Sequence, residues 1–186
     1  MKSNSWWAWR GDKGFSLDLV DYILEEGAKL KPSQGTIFGD DNQFIVNQTR
    51  RSKVAWLDHL PEIKDHLFTF VLEANRRAFN FDVQNAADVQ FTEYHALEKG
   101  HYDWHRDWSP FDGNPFQRKL SITVQLSDSD TYEGGEFEME NTILPDWITE
   151  KGTVLIFPSF VNHRVKPVTK GIRRSLVSWF EGPSWR

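Results

Sequence analysis

His105 and Asp107 stand two residues apart in the segment that runs from Tyr102 to Trp108. On an extended chain, residues i and i+2 point to the same face, so one imidazole and one carboxylate can converge on a single ion. Taken alone, the pattern also fits a surface histidine that forms a salt bridge with a nearby aspartate. The pair is therefore a candidate for two ligands of a metal ion.

A third candidate ligand, His163, follows an apolar segment that starts after Gly152 and predicts a strand over 153–157. Two histidines and one carboxylate form the facial triad that leaves coordination positions open on ferrous iron. The chain has no cysteine, which excludes disulfides, thiolate zinc sites and iron–sulfur clusters. Any metal must therefore be held by nitrogen and oxygen ligands.

The order of these and further residues resembles the prolyl 4-hydroxylase-like branch of the Fe(II)/2-oxoglutarate-dependent dioxygenases. The resemblance spans residues 87–181 and is specific for the superfamily, while it leaves the substrate open. It rests on Tyr94, His105-x-Asp107, Arg118, Gly134-Gly135-Glu136, Gly152, Phe157, His163-x-Val165-x-Pro167-Val168 and Gly171-x-Arg173.

The resemblance implies a double-stranded β-helix, or jelly roll, with the site at one open end between its two sheets. It implies that His105, Asp107 and His163 bind Fe(II), and that Arg173 pairs with the distal carboxylate of the cosubstrate 2-oxoglutarate. Arginine suits that role because its planar guanidinium can bind a carboxylate through two hydrogen bonds. The spacing from His163 favours Arg173 over the adjacent Arg174, for which a solvated position is expected.

Tyr94 matches the tyrosine that precedes the His-x-Asp motif in this branch, and its hydroxyl would donate to the same carboxylate. The alternative for Tyr94 is a core aromatic residue with a satisfied hydroxyl. Thr123 or Ser121, on the intervening strand, is a further candidate contact. The remaining histidines lack the spacing of the motif and are expected in core or surface positions: His59, His66, His95 and His101.

The activity implied by the resemblance is the O2-dependent conversion of 2-oxoglutarate to succinate and CO2, coupled to hydroxylation of a C–H bond. Ascorbate is a candidate accessory reductant. Relatives that halogenate carry a small residue in place of the carboxylate, so Asp107 predicts hydroxylation.

The expected substrate is a peptidyl proline or another residue of a peptide or protein, and the alternative is a free amino acid or small metabolite. The rival from another class is a non-enzymatic cupin-type module that binds a metal or sugar and would not need Arg173.

Two amphipathic helices are predicted ahead of this motif. Ser16 is a candidate N-cap for a short helix through Leu24, and the apolar pattern fades at Gly27. A longer helix is predicted from Pro61 to about Ala78, with apolar residues at intervals of three and four. Residues 32–56 have no helical period and are interpreted as loop and edge strand.

From residue 87 onward the apolar period changes from helical to two, which predicts strands. Gly134-Gly135 and Gly171 are interpreted as turns. The apolar residues that alternate with others are Val89 and Phe91; Leu120, Ile122, Val124 and Leu126; and Leu176 and Phe180. We therefore expect one domain, mainly β with flanking helices, in which residues 1–86 form a helical and loop support and residues 87–181 the jelly-roll core.

Composition restricts the partners and the location. The formal net charge of −5 provides no basis for sequence-independent nucleic-acid binding, which needs clustered Lys and Arg. The segment from Met1 to Gly14 lacks the apolar run of a secretory signal, and no stretch approaches the roughly 20 apolar residues that cross a bilayer. The sequence predicts a cytoplasmic protein without a nucleic-acid or membrane partner, and leaves its oligomeric state open.

Three flanking features have two interpretations each. Residues 109–117 are either a lid over the site or a passive loop. Trp104, Trp108 and Trp179 either line the substrate entrance or pack in the core. The segment from Arg50 to Leu57 either borders the substrate groove or forms a solvated edge strand.

Overall fold

The computed structural model of the protein describes residues 5–36, 48–108 and 115–185, and in these ranges the strands form two sheets. The strands are β1 (Trp7–Trp9), β2 (Ser33–Gln34), β3 (Arg50–Arg51), β4 (Lys53–Trp56), β5 (Asn85–His95), β6 (His101–His105), β7 (Phe116–Gln125), β8 (Tyr132–Gly134), β9 (Phe137–Met139), β10 (Val154–Pro158), β11 (His163–Val165) and β12 (Val168–Pro183). The larger sheet has the order β1-β10-β7-β12-β5-β4-β2, with β8 attached to β12, and the smaller sheet has the order β3-β6-β11-β9. The expected mainly β class is confirmed.

The two predicted helices are present, and both pack against the outer face of the larger sheet. Helix α1 (Leu17–Lys29) begins after Ser16, whose hydroxyl accepts a hydrogen bond from the backbone N of Leu19 at 3.3 Å. Helix α2 (Pro61–Ala74) has proline in its first turn and continues into a π-helical turn (Asn75–Phe79).

The end of α1 differs from the prediction, because the helix passes through Gly27 and ends at Lys29. Gly27 is buried against the sheet, and a Cβ atom at this position would lie 2.8 Å from the ring of Phe91. Glycine here permits close approach of helix to sheet, so its role is packing and not helix termination.

The period of two places the apolar and polar residues on opposite faces of the larger sheet. The apolar face packs with both helices into the main core, which includes Val20, Ile23, Ile63, Leu67, Val71, Val89, Phe91, Leu120, Ile122, Val124, Leu176 and Phe180. The opposite face carries Gln90 and Tyr94 on β5, Thr123 on β7, and Arg173 and Ser175 on β12, and it lines a cavity. The prediction of alternating strands over 87–181 is confirmed, except that Gly171 lies within β12 and not in a turn.

Strands from the N-terminal part of the chain complete both sheets. Strand β1 pairs with β10, and β4 lies between β5 and the short edge strand β2. Strand β3 instead pairs with β6 in the smaller sheet. The predicted edge strand in residues 32–56 is thus present in the described part of that range, whereas residues 37–47 lie outside it. The single-domain organisation and its division after residue 86 stay predictions.

Neither helix among the residues that the structure describes combines the length and apolar character needed to traverse a membrane.

Candidate metal centre and its cavity

The three predicted ligands meet at one end of the smaller sheet. His105 ends β6 and His163 begins β11, and these residues are directly opposite each other in the antiparallel pair. Asp107 follows β6, and its backbone N donates to the carbonyl oxygen of Ser159 at 3.0 Å. One ligand atom from each of the three side chains lies within 4.8 Å of the others. The structure therefore brings together the residues that the spacing singled out.

Hydrogen bonds to the backbone fix both imidazoles with Nε2 toward Asp107. His105 Nδ1 lies 2.7 Å from the carbonyl oxygen of Asp103, and His163 Nδ1 lies 3.0 Å from that of Val161. A carbonyl only accepts, so each Nδ1 carries the proton and each Nε2 offers its lone pair. The Nε2 atoms lie 3.7 Å and 3.6 Å from the two carboxylate oxygens of Asp107. This donor set fits a divalent metal ion.

The Asp107 carboxylate accepts a hydrogen bond from Ser121, which in turn contacts Ser159. Ser121 Oγ donates to Asp107 Oδ2 at 2.6 Å, and Ser159 Oγ lies 3.0 Å from Ser121 Oγ. Burial acts to raise the pKa of Asp107, but His163, His105 and the Ser121 hydroxyl together hold that pKa below its usual value. The carboxylate is therefore ionised and can bind a cation.

His105 is covered by an aromatic ring and a guanidinium. The Tyr102 ring stacks on the imidazole with centroids 3.4 Å apart, and Arg50 Cζ lies 4.6 Å from the Tyr102 centroid. Arg50 is buried and donates to Ser52 Oγ and to the carbonyl oxygen of Thr36, both at 2.8 Å. Tyr102 and His105 lie three residues apart on β6, and the pairing of β3 with β6 brings Arg50 over the Tyr102 ring. The spacing of the metal ligands gives no signal for Tyr102, so its place at the site was not predicted.

Burial sets the protonation of these two rings. Burial, together with neighbouring His163, lowers the pKa of His105 to about 3, so the imidazole is neutral near pH 7. Burial raises the pKa of Tyr102 to about 12, so its hydroxyl keeps its proton.

A cavity of about 400 Å³ opens beside the three ligands, and Arg173 lies in its wall. Arg173 is only 5% exposed, and in the described part of the chain no carboxylate lies within 4.0 Å of its guanidinium. The adjacent Arg174 points to the other face and donates to Glu93 at 2.7 Å. A buried guanidinium without an anionic partner is costly, so this position is suited to bind an anion.

Gly135 makes room for the Arg173 side chain. A Cβ atom at Gly135 would lie 3.0 Å from Arg173 Cδ and 2.9 Å from Val168 Cγ2, and the backbone φ is +68°. Both the space and the left-handed conformation favour glycine. The Gly134-Gly135 pair thus shapes the anion position as well as the turn before β9.

Tyr94 and Thr123 line the same cavity as Arg173. Tyr94 is directly opposite Arg173 in the β5–β12 pair, and Arg173 Cζ lies 5.8 Å from its ring centroid. Burial raises the pKa of Tyr94, so its hydroxyl is a donor. Ser121, the alternative to Thr123, is instead bonded to Asp107, which leaves Thr123 as the candidate contact of the two.

The three tryptophans that were candidates for the substrate entrance differ in their positions. Trp179 lines the cavity, together with Trp56 from the segment between Arg50 and Leu57. Trp104 lies outside the cavity, because it points away from the ligands and packs under Arg164. Trp108 also lies outside the cavity wall and donates through Nε1 to Gln117 Oε1 at 3.2 Å.

The other histidines lie away from the ligand cluster, as expected. His59 and His66 are exposed, His95 contacts Glu93, and His101 contacts the carbonyl oxygens of Lys99 and Gln48. The interpretation of residues 109–117 as a lid or passive loop falls mostly on residues 109–114, which lie outside the described residues.

Comparison with known proteins gives the same assignment for this region. The family model for the 2OG-Fe(II) oxygenase superfamily matches residues 89–181. A PKHD-type hydroxylase of Idiomarina loihiensis is 35% identical over 99 residues, which cover 53% of this chain and 44% of that protein. A PKHD-type hydroxylase of Crocosphaera subtropica is 31% identical over 128 residues, covering 64% of this chain and 55% of that protein. The chain thus spans about half the length of these curated relatives.

Solved structures agree over nearly the whole chain. A prolyl-4-hydroxylase from Pseudomonas putida superposes with a TM-score of 0.73 at 18% identity, covering 97% of this chain and 94% of that one. A prolyl hydroxylase from Trichoplax adhaerens, in complex with a hypoxia-inducible-factor peptide fragment, gives a TM-score of 0.73 at 19% identity, covering 96% and 84% of the two chains. These similarities confirm the double-stranded β-helix fold.

Proposed function

The chain belongs to the 2OG-Fe(II) oxygenase superfamily, and from that premise we propose that it is a dioxygenase that hydroxylates a C–H bond. The observation that carries the proposal is the arrangement of one cavity: three converging metal ligands beside a buried arginine that has no carboxylate partner in the described part of the chain. A cupin-type binding module would need the first feature but not the second.

In this function His105, His163 and Asp107 hold Fe(II) through two Nε2 atoms and a carboxylate oxygen. With 2-oxoglutarate and O2, the bound iron supplies the oxidising power for hydroxylation, and 2-oxoglutarate leaves as succinate and CO2. With three protein ligands, the bound ion would remain open to the cosubstrate and O2. Because Asp107 occupies the carboxylate position, hydroxylation is the expected outcome and not halogenation.

Arg173 binds the distal carboxylate of 2-oxoglutarate, and the hydroxyls of Tyr94 and Thr123 donate to the same group. The burial of Arg173 strengthens this ion pair, because little water competes for either partner. The neutral, protonated state of Tyr94 supports its role as a donor. His105, Asp107, His163 and Arg173 are thus the residues on which turnover depends.

The proposed substrate is a peptidyl proline or another residue of a peptide or protein. Trp56 and Trp179 line the cavity, and the exposed ring of Trp56 offers an aromatic face to an apolar ring. The structural relative from Trichoplax adhaerens was solved with a peptide fragment, which supports the same class. A free amino acid or small metabolite is the alternative substrate of the same centre. Ascorbate as an accessory reductant and a cytoplasmic location stay predictions.

Succinate formation from 2-oxoglutarate tests the activity. We expect Fe(II)-dependent succinate production by the protein, and its loss in His163→Ala. Arg173→Met is expected to raise the KM for 2-oxoglutarate by at least about tenfold, because a charged partner is removed from a buried pair. Arg174→Gln is the matched control, since it removes the neighbouring charge from the other face of β12. Absence of Fe(II)-dependent succinate, or equal effects of the two arginine variants, would contradict the proposal.

Mass spectrometry of proline-containing peptides tests the substrate class. Incubation with Fe(II), ascorbate and 2-oxoglutarate should yield a product heavier by one oxygen atom, located on one residue. If no peptide in the library is oxygenated while a free amino acid is, the result would favour the small-molecule alternative.

A further inference from the structure

The cavity beside the metal ligands is strongly positive although the chain is acidic. In the described part of the chain its wall contains four arginines, Arg50, Arg106, Arg118 and Arg173, and one carboxylate, Asp107. The whole chain has 22 Lys and Arg against 27 Asp and Glu. This concentration of positive charge at one place opposes the overall balance and therefore needs a local explanation.

The proposed cosubstrate accounts for only one of these arginines. The two charges of Fe(II) are opposed by Asp107 and by the iron-binding carboxylate of 2-oxoglutarate. The distal carboxylate of 2-oxoglutarate is opposed by Arg173. Three arginines therefore remain without an anionic counterpart in the described part of the wall.

A β-bulge turns Arg118 into the cavity. In the pairing of β7 with β12, Leu120 is opposite Phe180 and Arg118 is opposite Glu181, so Lys119 is the extra residue. Without the bulge, the alternation that directs Ser121 and Thr123 inward would direct Arg118 outward. Arg118 Cζ lies 3.9 Å from the Trp179 ring centroid, and none of the described carboxylates lies within 4.0 Å of its guanidinium. The stack fixes one face of the guanidinium and leaves its N–H edge for an acceptor.

Two further arginines contribute positive charge to the cavity wall, Arg106 at an exposed position and Arg50 at a buried one. Arg106 lies between the ligands His105 and Asp107 in sequence, is exposed, and has no carboxylate within 4.0 Å among the described residues. Arg50 is buried deeper, and its hydrogen bonds go to neutral oxygens of Ser52 and Thr36, so its charge is not cancelled. An anion entering the cavity would meet positive charge both at the mouth and deeper inside.

We propose that the substrate of this site carries a carboxylate close to the hydroxylated carbon, and that Arg118 and Arg106 bind it. The proposal rests on the function proposed above and narrows its substrate class. An Asp or Glu beside the target residue of a peptide supplies such a group, and so does a small carboxylic acid. Binding without turnover can separate these two sources.

The test uses two fluorescent peptides that differ only in charge. Each has a central proline, flanked by Asp in one peptide and by Asn in the other, and each is titrated anaerobically with protein containing Mn(II) and 2-oxoglutarate. We expect the Asp peptide to bind about tenfold more tightly, with an advantage that decreases as salt is added, because the discrimination is electrostatic. Equal affinities, or binding of neither peptide, would overturn the proposal for peptides.

Arginine variants locate the effect. Arg118→Gln and Arg106→Gln should each reduce the preference for the Asp peptide by about three- to tenfold, with Arg118→Lys retaining part of it. Arg76→Gln is the matched control, because Arg76 is exposed on the π-helical turn and lies outside the cavity wall. If Arg76→Gln also loses the preference for the Asp peptide, carboxylate binding cannot be assigned to Arg118 and Arg106. Metal affinity is measured in each variant, so that a displaced ligand is recognised.

Three further outcomes can be distinguished. If N-acetyl-aspartate competes as well as the Asp peptide, the carboxylate assignment stands and the source is a small molecule. If Fe(II)-dependent succinate forms while charge has no effect on binding, the proposed function holds and this inference fails. If no succinate forms under any condition, the proposed function itself fails.

Discussion

The ring of Tyr102 lies flat against the imidazole of His105, with the planes inclined by only 9°. Arg50 lies over the Tyr102 ring and donates hydrogen bonds to Ser52 and to the carbonyl oxygen of Thr36. Contacts around a metal-binding histidine orient its ring and tune its affinity. Arg50 on β3 is therefore connected to the metal centre through the Tyr102 ring.

Removing the ring of Tyr102 should weaken metal binding. Tyr102→Leu is expected to raise the dissociation constant for Co(II) by about tenfold, because the imidazole loses its stacking partner. Tyr102→Phe keeps the ring and should change the constant little. Absorption titration with Co(II) measures both. Trp104→Leu serves as the control, since Trp104 is on the opposite face of β6, and an equal loss in that variant would exclude a specific role for the stack.

The serine that bonds to Asp107 should also matter for the metal. Ser121→Ala removes the 2.6 Å hydrogen bond to Asp107 Oδ2 and is expected to weaken Co(II) binding by about tenfold. Ser178→Ala is a matched control, because the Ser178 hydroxyl is buried without a hydrogen-bond partner among the described residues. Its removal should leave both metal affinity and stability nearly unchanged. Weaker binding in Ser178→Ala would mean that any buried change in this sheet disturbs the centre.

Gly27→Ala should destabilise the protein although alanine favours helices. Helix propensity alone would add about 1 kcal/mol to the free energy of unfolding. The new Cβ atom would lie 2.8 Å from the Phe91 ring, and such overpacking costs about 1–3 kcal/mol. Urea denaturation is expected to show a net loss. Ala28 is exposed on the same helical turn, so Ala28→Gly measures the effect of helix propensity on the free energy of unfolding without a change in packing. A more stable Gly27→Ala variant would show that α1 can move away from the Phe91 ring without a loss in the free energy of unfolding.

The ion pair of Glu93 and Arg174 predicts a pH-dependent contribution to stability. Burial acts to raise the pKa of Glu93, but its hydrogen bonds with Arg174 and His95 lower that pKa below the usual 4.5. A carboxyl group with a lowered pKa in the folded state stabilises the protein above its unfolded-state pKa. That contribution disappears as the pH falls through the folded-state value.

Glu93→Gln is therefore expected to lower the free energy of unfolding by about 1–2 kcal/mol at neutral pH. The difference between the two proteins should shrink as the pH falls below 4.5. Urea denaturation across this range gives the measurement. A difference that stays constant with pH would assign the effect to packing and not to charge.

The sequence by itself determined the chemistry of the centre and the faces of the long strands. The spacing of His105 and Asp107, with His163 after an apolar strand, named the ligands because facial coordination needs those side chains close together. The family resemblance favoured Arg173 over Arg174 through its spacing from His163, and the two adjacent strand residues do point to opposite faces. Residue spacing, together with the resemblance to the family, led to both predictions.

Only the tertiary structure decided which side chains support that chemistry. The bonds of Ser121 to Asp107 and Ser159, and the stack of Tyr102 with Arg50, join segments that are far apart in the chain. The bulge at Lys119 reverses the alternation, so strand parity alone would have directed Arg118 outward. The local pattern predicted the end of a helix at Gly27, whereas the close approach of Phe91 explains the glycine. Pairing register, bulges and helix–sheet distance arise from contacts distant in sequence, so a local pattern does not contain them.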